Sequence, residues 1–534
     1  MAEGLQVAMI CWSLVLIGVL SVVMRLFKEM WLKPARIRSV LRKQGIGGPP
    51  PSFLDGNMTE MQKIQSTTNI IHEPSDPKDF QHNWVPSIFP YLQRWEQKYG
   101  PVYMYSTGSK QHMYVSDPKL LKELKLQNYM DLGVPKYLSK PLLPLIGNSI
   151  IRANGQDFAY QKKLIAPEFF LNKVKGMMDM MEESAVALLK TWERRLLKSE
   201  GGVLEIIVDK ELKTLSADII SRACFGSTYS QGNQIFAKIA LLQEALSNPI
   251  LLFGVINFGF FPTENDKKIW SLRKEVDSLL LKLVRDRQKQ SQVGGICKKD
   301  LLQMMLESAA STSSDMHQNT HKTDQFILDN CRSIYFAGSE TTALTASWTL
   351  MLLALHPKWQ ERIRAEISEV CGGDDQLHHC LKDTDKLNKL KTLTMVIQES
   401  LRFYAPSVLV SREALEKVRL GDLDVPKGVH IWTFIPTLHR DPENWGPDAD
   451  EFKPERFANG VSEACKYPQA YMPFGYGSRL CIGQTFSMVQ LKIVLSLTLS
   501  KFSFALSPNY QHSPVYKMLL LPKHGIKLLV RRVQ

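Results

Sequence analysis

Residues 4–24 run for 21 positions without a charged side chain, with Val, Leu, Ile and Met dominant. At about 1.5 Å rise per residue, a helix of that length spans a hydrocarbon core of roughly 30 Å. A removable signal peptide has a shorter apolar region and a small-residue cleavage site, and neither is evident here. Arg25, Lys28, Lys33, Arg36, Arg38, Arg42 and Lys43 follow, opposed only by Glu29. That one-sided basic flank predicts a membrane anchor with the rest of the chain on the cytosolic side. The alternative, a buried core helix, is disfavoured by the terminal position and the flank. Next comes Gly47-Gly48-Pro49-Pro50-Pro51, which cannot continue a helix and predicts a stiff hinge. The expected division is an anchor at residues 1–30, a basic, Pro-rich hinge at 31–52 and a single large domain at 53–534. Asn57-Met58-Thr59 is formally a glycosylation sequon, which a cytosolic body leaves unmodified.

Charge sharpens this division. The 66 Lys and Arg against 53 Asp and Glu give +13, of which residues 1–45 supply a net +5. The rest of the chain carries only a mild basic excess, so a nucleic-acid partner drops out. A hydrophobic fraction of 44% excludes wholesale disorder. No 20–50-residue repeat, dinucleotide fingerprint, Walker A loop or H-E-x-x-H appears. The eight cysteines are spread without C-x-x-C pairs, which predicts no disulfide framework and a reducing compartment. Cys371, His378, His379 and Cys380 match no zinc spacing and read as part of a solvated loop.

The body reads as mainly α with small β-sheets. Long amphipathic helical patterns cover 172–197 and 323–355, with an exposed Ser/Thr/Asn-rich loop expected at 307–323. Strand-like runs are short: 102–105, 111–115, 429–434, and a C-terminal pair at 517–521 and 526–530. Residues 249–262 form an uncharged stretch with two prolines and two glycines. It is too short to span a bilayer and is either core or a surface that meets lipid or substrate.

Chemistry concentrates at Phe474-Gly475-Tyr476-Gly477-Ser478-Arg479-Leu480-Cys481-Ile482-Gly483. Glycines allow sharp turns that aim several N–H groups at one atom, which stabilises a thiolate and tunes its donation to a metal. A single thiolate suits haem iron, and Arg479 could pair with a haem propionate. The bland alternative for a lone cysteine is a buried structural thiol. Here, however, the segment fits F-x-x-G-x-R-x-C-x-G at every fixed position.

On that segment the chain resembles the haem-thiolate cytochromes P450, and the family's other motifs appear in order. Ala337-Gly338-Ser339-Glu340-Thr341-Thr342 resembles the oxygen-activating helix motif. Glu399-Ser400-Leu401-Arg402 resembles the E-x-x-R pair, and Pro454-Glu455-Arg456-Phe457 supplies the third member. Glu399 and Arg402, three apart, share a helix face and can pair, with Arg456 joining them to brace the thiolate loop. An E-x-x-R alone is more often a surface ion pair.

The resemblance implies haem b held by Cys481, with Phe474, Gly475, Arg479, Arg412 and Lys162 around it. It implies that Thr341 hydrogen-bonds bound dioxygen while Glu340 helps deliver protons, although a threonine there can also bond back to its own helix. Two positions depart from the family pattern. Phe158 and Lys162 stand where Trp and Arg are usual; Phe158 cannot donate to a propionate, and Lys162 is a point charge rather than a fork. His439 reads as a structural histidine, not a second ligand.

Residues 89–103, 165–170 and 173–177 resemble plant microsomal members, in particular the group that oxidises gibberellins and related ent-kaurane acids. Relatives in that group oxidise triterpenoid acids. The same resemblance implies a monooxygenase in the endoplasmic reticulum membrane that takes electrons from NADPH through a separate reductase. An acidic reductase would meet part of the basic surface. A haem-dependent isomerase or dehydratase on the same fold, or a non-catalytic haem protein, is disfavoured by the retained Glu340–Thr341 pair. Ile334, Ala337, Gly338, Val408 and Met518 are the expected substrate contacts, with Lys136, Lys140 and Lys517 as candidate carboxylate partners or simply solvated surface.

Overall fold

The computed structural model describes residues 2–71, 82–226, 229–247, 263–292, 300–312 and 320–533. The uncharged N-terminal run forms a helix over Ala2–Phe27, continued through one π-helical turn at Lys28–Leu32 into a helix at Lys33–Lys43. By length and composition this stretch can cross a membrane, and none of its most apolar window is buried against the protein.

The segment after it is pinned down rather than hinged. Leu41 and Ile46 are buried with Met104, Met113 and Val115. The Gln44 side chain accepts from the Asp424 N–H at 2.6 Å and donates to the Asp424 carbonyl at 2.9 Å. The Met104 N–H donates to the Gly47 carbonyl at 2.8 Å, and a Cβ on Gly48 would sit 1.8 Å from the Met104 oxygen. Asn57 of the formal sequon is buried, accepting from the Ser106 N–H at 2.9 Å and donating to the Pro50 carbonyl at 3.1 Å.

In chain order the strands are β1 Val102–Thr107, β2 Lys110–Val115, β3 Leu132–Gly133, β4 Leu204–Ile207, β5 Leu409–Ala414, β6 Val418–Leu420, β7 Leu423–Val425, β8 His430–Phe434, β9 Phe502–Leu506, β10 Pro514–Lys517, β11 Leu519–Pro522 and β12 Lys527–Arg532. They make a five-stranded sheet in the order β1-β2-β8-β5-β3, a three-stranded sheet β4-β12-β9, and two hairpins, β6-β7 and β10-β11. The expected C-terminal strand pair is corrected. Residues 517–521 hold the turn of a separate hairpin, reversed at Met518 with φ 64°, while β12 pairs with β4 and β9.

The longest helix, Thr320–Leu355, runs through the core. From Ile327 to Ala354 every side chain is buried except Phe336, Ala337, Gly338 and Thr341, which are partly open. A helix enclosed all round has no amphipathic stripe. A Cβ on Gly338 would come 2.7 Å from Ile220 Cδ1, so glycine lets the Val208–Phe225 helix cross close against it. The pattern at 172–197 divides at Gly176 into helices Leu171–Lys175 and Met178–Leu196. The expected loop at 307–323 is instead helical to Thr312 and again from Thr320, with 313–319 outside the described residues. Residues 249–262 also lie outside them.

Cys371 and Cys380 are joined by a disulfide, contrary to the expectation of none. They lie on helices Pro357–Cys371 and Asp374–Leu381, so the stretch between them is a helical corner rather than a solvated loop. Both cysteines are buried, and no group of metal-ligating side chains forms among the described residues.

Gly48→Ala drives a Cβ into the Met104 backbone and should lower stability by about 1–3 kcal/mol. Urea unfolding, with limited proteolysis at 44–51, checks this; an unchanged midpoint would mean that the segment is not held against β1.

Candidate active site

The cysteine turn is built by its glycines. Gly475 and Gly477 have φ 77° and 65°, and a Cβ on Gly477 would fall 2.8 Å from the Lys125 carbonyl. The Cys481 N–H donates back to the Phe474 carbonyl at 3.0 Å, closing the loop immediately before the Gln484–Lys501 helix. Cys481 is accessible, but through the cavity it lines; the protein packed around it pushes its thiol pKa above the usual value, only partly offset by the Gly483 amide.

That cavity, of about 400 Å³, is lined by Cys481, Phe474, Gly475, Ala337, Gly338, Thr341 and Ile334, among others. Residues distant in sequence therefore meet: the thiol turn, the open patch of the long helix, and the segment Pro406 to Arg412. Val408 is fully buried and does not line the cavity, which Leu409 and Val410 do. The expected contact at Val408 thus gives way to Leu409 and Val410, the first two residues of β5. Met518 turns its hairpin and is likewise not a wall residue. Lys136, Lys140 and Lys517 do not line the cavity either.

Two arginines reach the cavity, and among the described residues neither is ion-paired with a carboxylate. Arg479 donates to the Ala153 carbonyl at 2.7 Å and to Asn154 Oδ1 at 2.8 Å, and its guanidinium lies 3.8 Å from the Phe158 ring centre. Its Nε is buried without a hydrogen-bond partner among the described residues. Burial, and then the charge of Arg412, pull its pKa down to about 9. Arg412 donates to the Ser411 carbonyl at 3.0 Å, faces the Tyr476 ring at 5.2 Å and is lowered by burial. Lys162 is corrected: its Nζ donates to the Ser478 carbonyl at 2.6 Å, bracing the cysteine turn from outside the cavity. Phe158, which the sequence suggested only as a lost donor, is the stacking platform for Arg479.

On the long helix, Thr341 lines the cavity while its hydroxyl donates to the Ala337 carbonyl at 2.7 Å. Glu340 is buried and is not a wall residue; it is ion-paired with Lys213.

Below the turn lies a fully buried ion pair. Arg402 Nε and Nη2 donate to the two Glu399 oxygens at 2.7 and 2.8 Å, with neither side chain exposed. Arg402 Nη1 also donates to the carbonyls of His439 (2.7 Å) and Ala449 (2.6 Å). Arg456 lies 3.6 Å from Glu399 and 2.8 Å from Asp448. His439 Nε2 accepts from the Met472 N–H at 3.0 Å, so Nδ1–H donates to the Arg402 carbonyl at 3.2 Å. Burial, and then Arg402, hold the imidazole neutral with a pKa of about 3.

A lone thiol in a glycine turn, an apolar cavity and acid-free arginines define the class of haem-thiolate proteins. The Cytochrome P450 family model matches residues 82–530. Cytochrome P450 714C2 of Oryza sativa subsp. japonica is 46% identical over 506 residues, covering 94% of this chain and 94% of that protein. Cytochrome P450 714A2 of Arabidopsis thaliana is 44% identical over 523 residues (97% and 98%). Cytochrome P450 714B3 of Zea mays is 41% identical over 527 residues (98% and 96%). The chain belongs to the cytochrome P450 family and is a monooxygenase of that family. Family membership implies haem, and the residues fit it. Two half-buried guanidiniums with no carboxylate paired to them among the described residues, one with a buried unpartnered Nε, call for an anionic group such as the haem propionates.

Arg402→Met leaves Glu399 buried without its bidentate partner and should cost about 3–5 kcal/mol. Glu399→Leu together with Arg402→Met should recover part of that loss. A single variant as stable as the wild type in urea would contradict a buried network. His439 gives a pH test. Unfolded, an imidazole takes up a proton near pH 6.5, whereas folded His439 resists until about 3. Its contribution is therefore complete above the unfolded value and is lost progressively as pH falls from there toward about 3. His439→Asn, which does not titrate, should flatten the dependence of the urea midpoint on pH over that window.

Proposed function

We propose that this chain is a membrane-anchored haem-thiolate monooxygenase of a hydrophobic plant terpenoid, with a gibberellin or ent-kaurenoic-type diterpenoid acid as substrate. The observation that carries this reading is one cavity shared by Cys481, Thr341 and two acid-free arginines. Cys481, as thiolate, would ligate the iron of haem b, with Arg479 and Arg412 on the propionates and Phe474 and Gly475 at its edge. Bound there, haem supplies the iron chemistry that activates O2 for transfer of one oxygen atom to substrate.

The remaining work falls to the chain. The Gly483 N–H favours the thiolate, acting against the burial that favours the thiol. The Glu399–Arg402 pair, with Arg456, fixes the backbone on which the turn rests. Thr341 donates to Ala337, which leaves its oxygen lone pairs free to accept a hydrogen bond from a ligand in the cavity. Glu340 is the carboxylate next to it and the source of protons. Ile334, Ala337, Gly338, Leu409 and Val410 give the cavity an apolar wall suited to a rigid hydrocarbon skeleton. A triterpenoid acid is the alternative substrate within the same group. Electrons come from NADPH through a separate flavoprotein reductase. The N-terminal helix holds the protein in the endoplasmic reticulum membrane with the catalytic body in the cytosol.

The test is turnover in reductase-containing vesicles against gibberellins, ent-kaurenoic acid and triterpenoid acids, with labelled O2 and mass-spectrometric detection. Wild type should give a diterpenoid product carrying one labelled oxygen, only with NADPH, and Cys481→Ala should give none. A product formed without NADPH or O2 would establish an isomerase or dehydratase instead. Triterpenoid products alone would move the substrate to the alternative.

A further inference from the structure

Five buried polar atoms on one side of the five-stranded sheet have no hydrogen-bond partner among the described residues: Ser411 Oγ, Trp432 Nε1, His430 Nδ1, His112 Nδ1 and the Tyr137 hydroxyl. Strand pairing puts them together. Ser411 on β5 stands directly opposite Trp432 on β8, and His430 of β8 stands opposite His112 of β2. Opposed residues share a face, so these four side chains form one patch. Each of the four is less than one-tenth exposed. Tyr137, from the short helix Lys136–Ser139, packs onto the patch, its ring centre 4.6 Å from that of His430 and 5.8 Å from that of His112. Native proteins leave few buried polar groups unpaired, so five together mark a place for a polar ligand.

Position and chemistry narrow the ligand. Ser411 lines the cavity that Cys481 and Thr341 share, whereas Trp432 and His112 line a second void of only about 10 Å³. That space takes about one oxygen atom and is too small for a carboxylate. The groups are also uncharged. Burial pulls the His430 pKa down to about 3 and that of His112 well below its ordinary value, so both imidazoles are neutral. Burial raises the Tyr137 pKa, so the phenol keeps its proton and remains a donor. The charges that act on the patch are of opposite sign: half-buried Glu413, opposite His430, and exposed Lys110. Neutral donors between balanced charges favour a neutral oxygen over an anion, which would stay uncompensated there.

We propose that Ser411, with Tyr137 and Trp432, forms a subsite for one neutral oxygen (a hydroxyl, or a keto or lactone carbonyl) on the skeleton of the substrate. This rests on the reading of the cavity as the site of a terpenoid acid, whose carboxylate takes no part in the subsite. Ser411 is then a specificity-determining residue. A skeleton already oxygenated away from the carbon to be oxidised is held, whereas a bare one leaves the buried donors unpaired. The reaction that supplies the substrate is therefore an earlier oxygenation of the same skeleton.

The experiment uses the full-length holoenzyme in vesicles and pairs of ent-kaurane acids that differ by one hydroxyl or keto group, each also as its methyl ester. Affinity is read from the change in haem absorption on binding, without turnover. Wild type should bind the oxygenated member of at least one pair about tenfold more tightly. Ser411→Ala and Tyr137→Phe should each bring that ratio to within about threefold. Their affinity for the bare acid should stay within about twofold of wild type, which a merely misfolded variant would not show. Methylating the carboxylate should leave the ratio unchanged. If wild type binds the acids without distinguishing the members of any pair, the subsite is overturned while the terpenoid reading stands. The same follows if the preference survives in the Ser411→Ala, Tyr137→Phe double variant. If the variants instead change the preference for acid over ester, the patch holds the carboxylate and the neutral-oxygen assignment is overturned. If none of the acids binds, the terpenoid reading fails and the subsite fails with it.

Discussion

The cysteine turn depends on one buried ion pair and the hydrogen bonds that run from it. Glu399 and Arg402 neutralise each other at zero exposure, and the arginine spends its remaining donor capacity on backbone carbonyls of His439, Ala449 and Glu451. His439 passes the constraint on, because its far nitrogen takes the Met472 N–H. The Met472 carbonyl takes the Gly475 N–H, and the Phe474 carbonyl takes the Cys481 N–H. A continuous path of hydrogen bonds and short backbone links therefore joins the pair to the thiol. A neutral imidazole is essential to it, since only that form both accepts from Met472 and donates to Arg402.

Above the turn the logic is different. Between Ile327 and Ala354 the long helix is buried except at Phe336, Ala337, Gly338 and Thr341. Small residues there create space, and the neighbouring acid is turned toward Lys213 rather than into the space. Charge enters the cavity through Arg412 and Arg479, whose mutual repulsion an anionic cofactor would relieve.

Much of this was legible in the sequence. The E-x-x-R pair, the cysteine turn and the acid–threonine motif depend on local spacing, and the helices and turns that carry them are local structures. Where the sequence misled, non-local packing decided the outcome. Val408 is packed in the core while Leu409 and Val410 line the cavity, a placement set by tertiary packing that a short apolar run does not reveal. Lys162 turned to a backbone carbonyl and Phe158 became a platform, since the partner of each is more than 300 residues away. The Pro-rich segment looked like a hinge because its contacts with Met104 and Asp424 are invisible to composition. The Cys371–Cys380 pair was hidden by a helical corner that brings two separate turns together.

The central claim is that Cys481 is the thiolate ligand of a bound haem. The most direct measurement is the carbon-monoxide difference spectrum of the reduced wild-type protein. The expected result is the long-wavelength Soret band that thiolate ligation produces. A shorter-wavelength band, of the kind an imidazole-ligated haem gives, or no haem band at all, would contradict it.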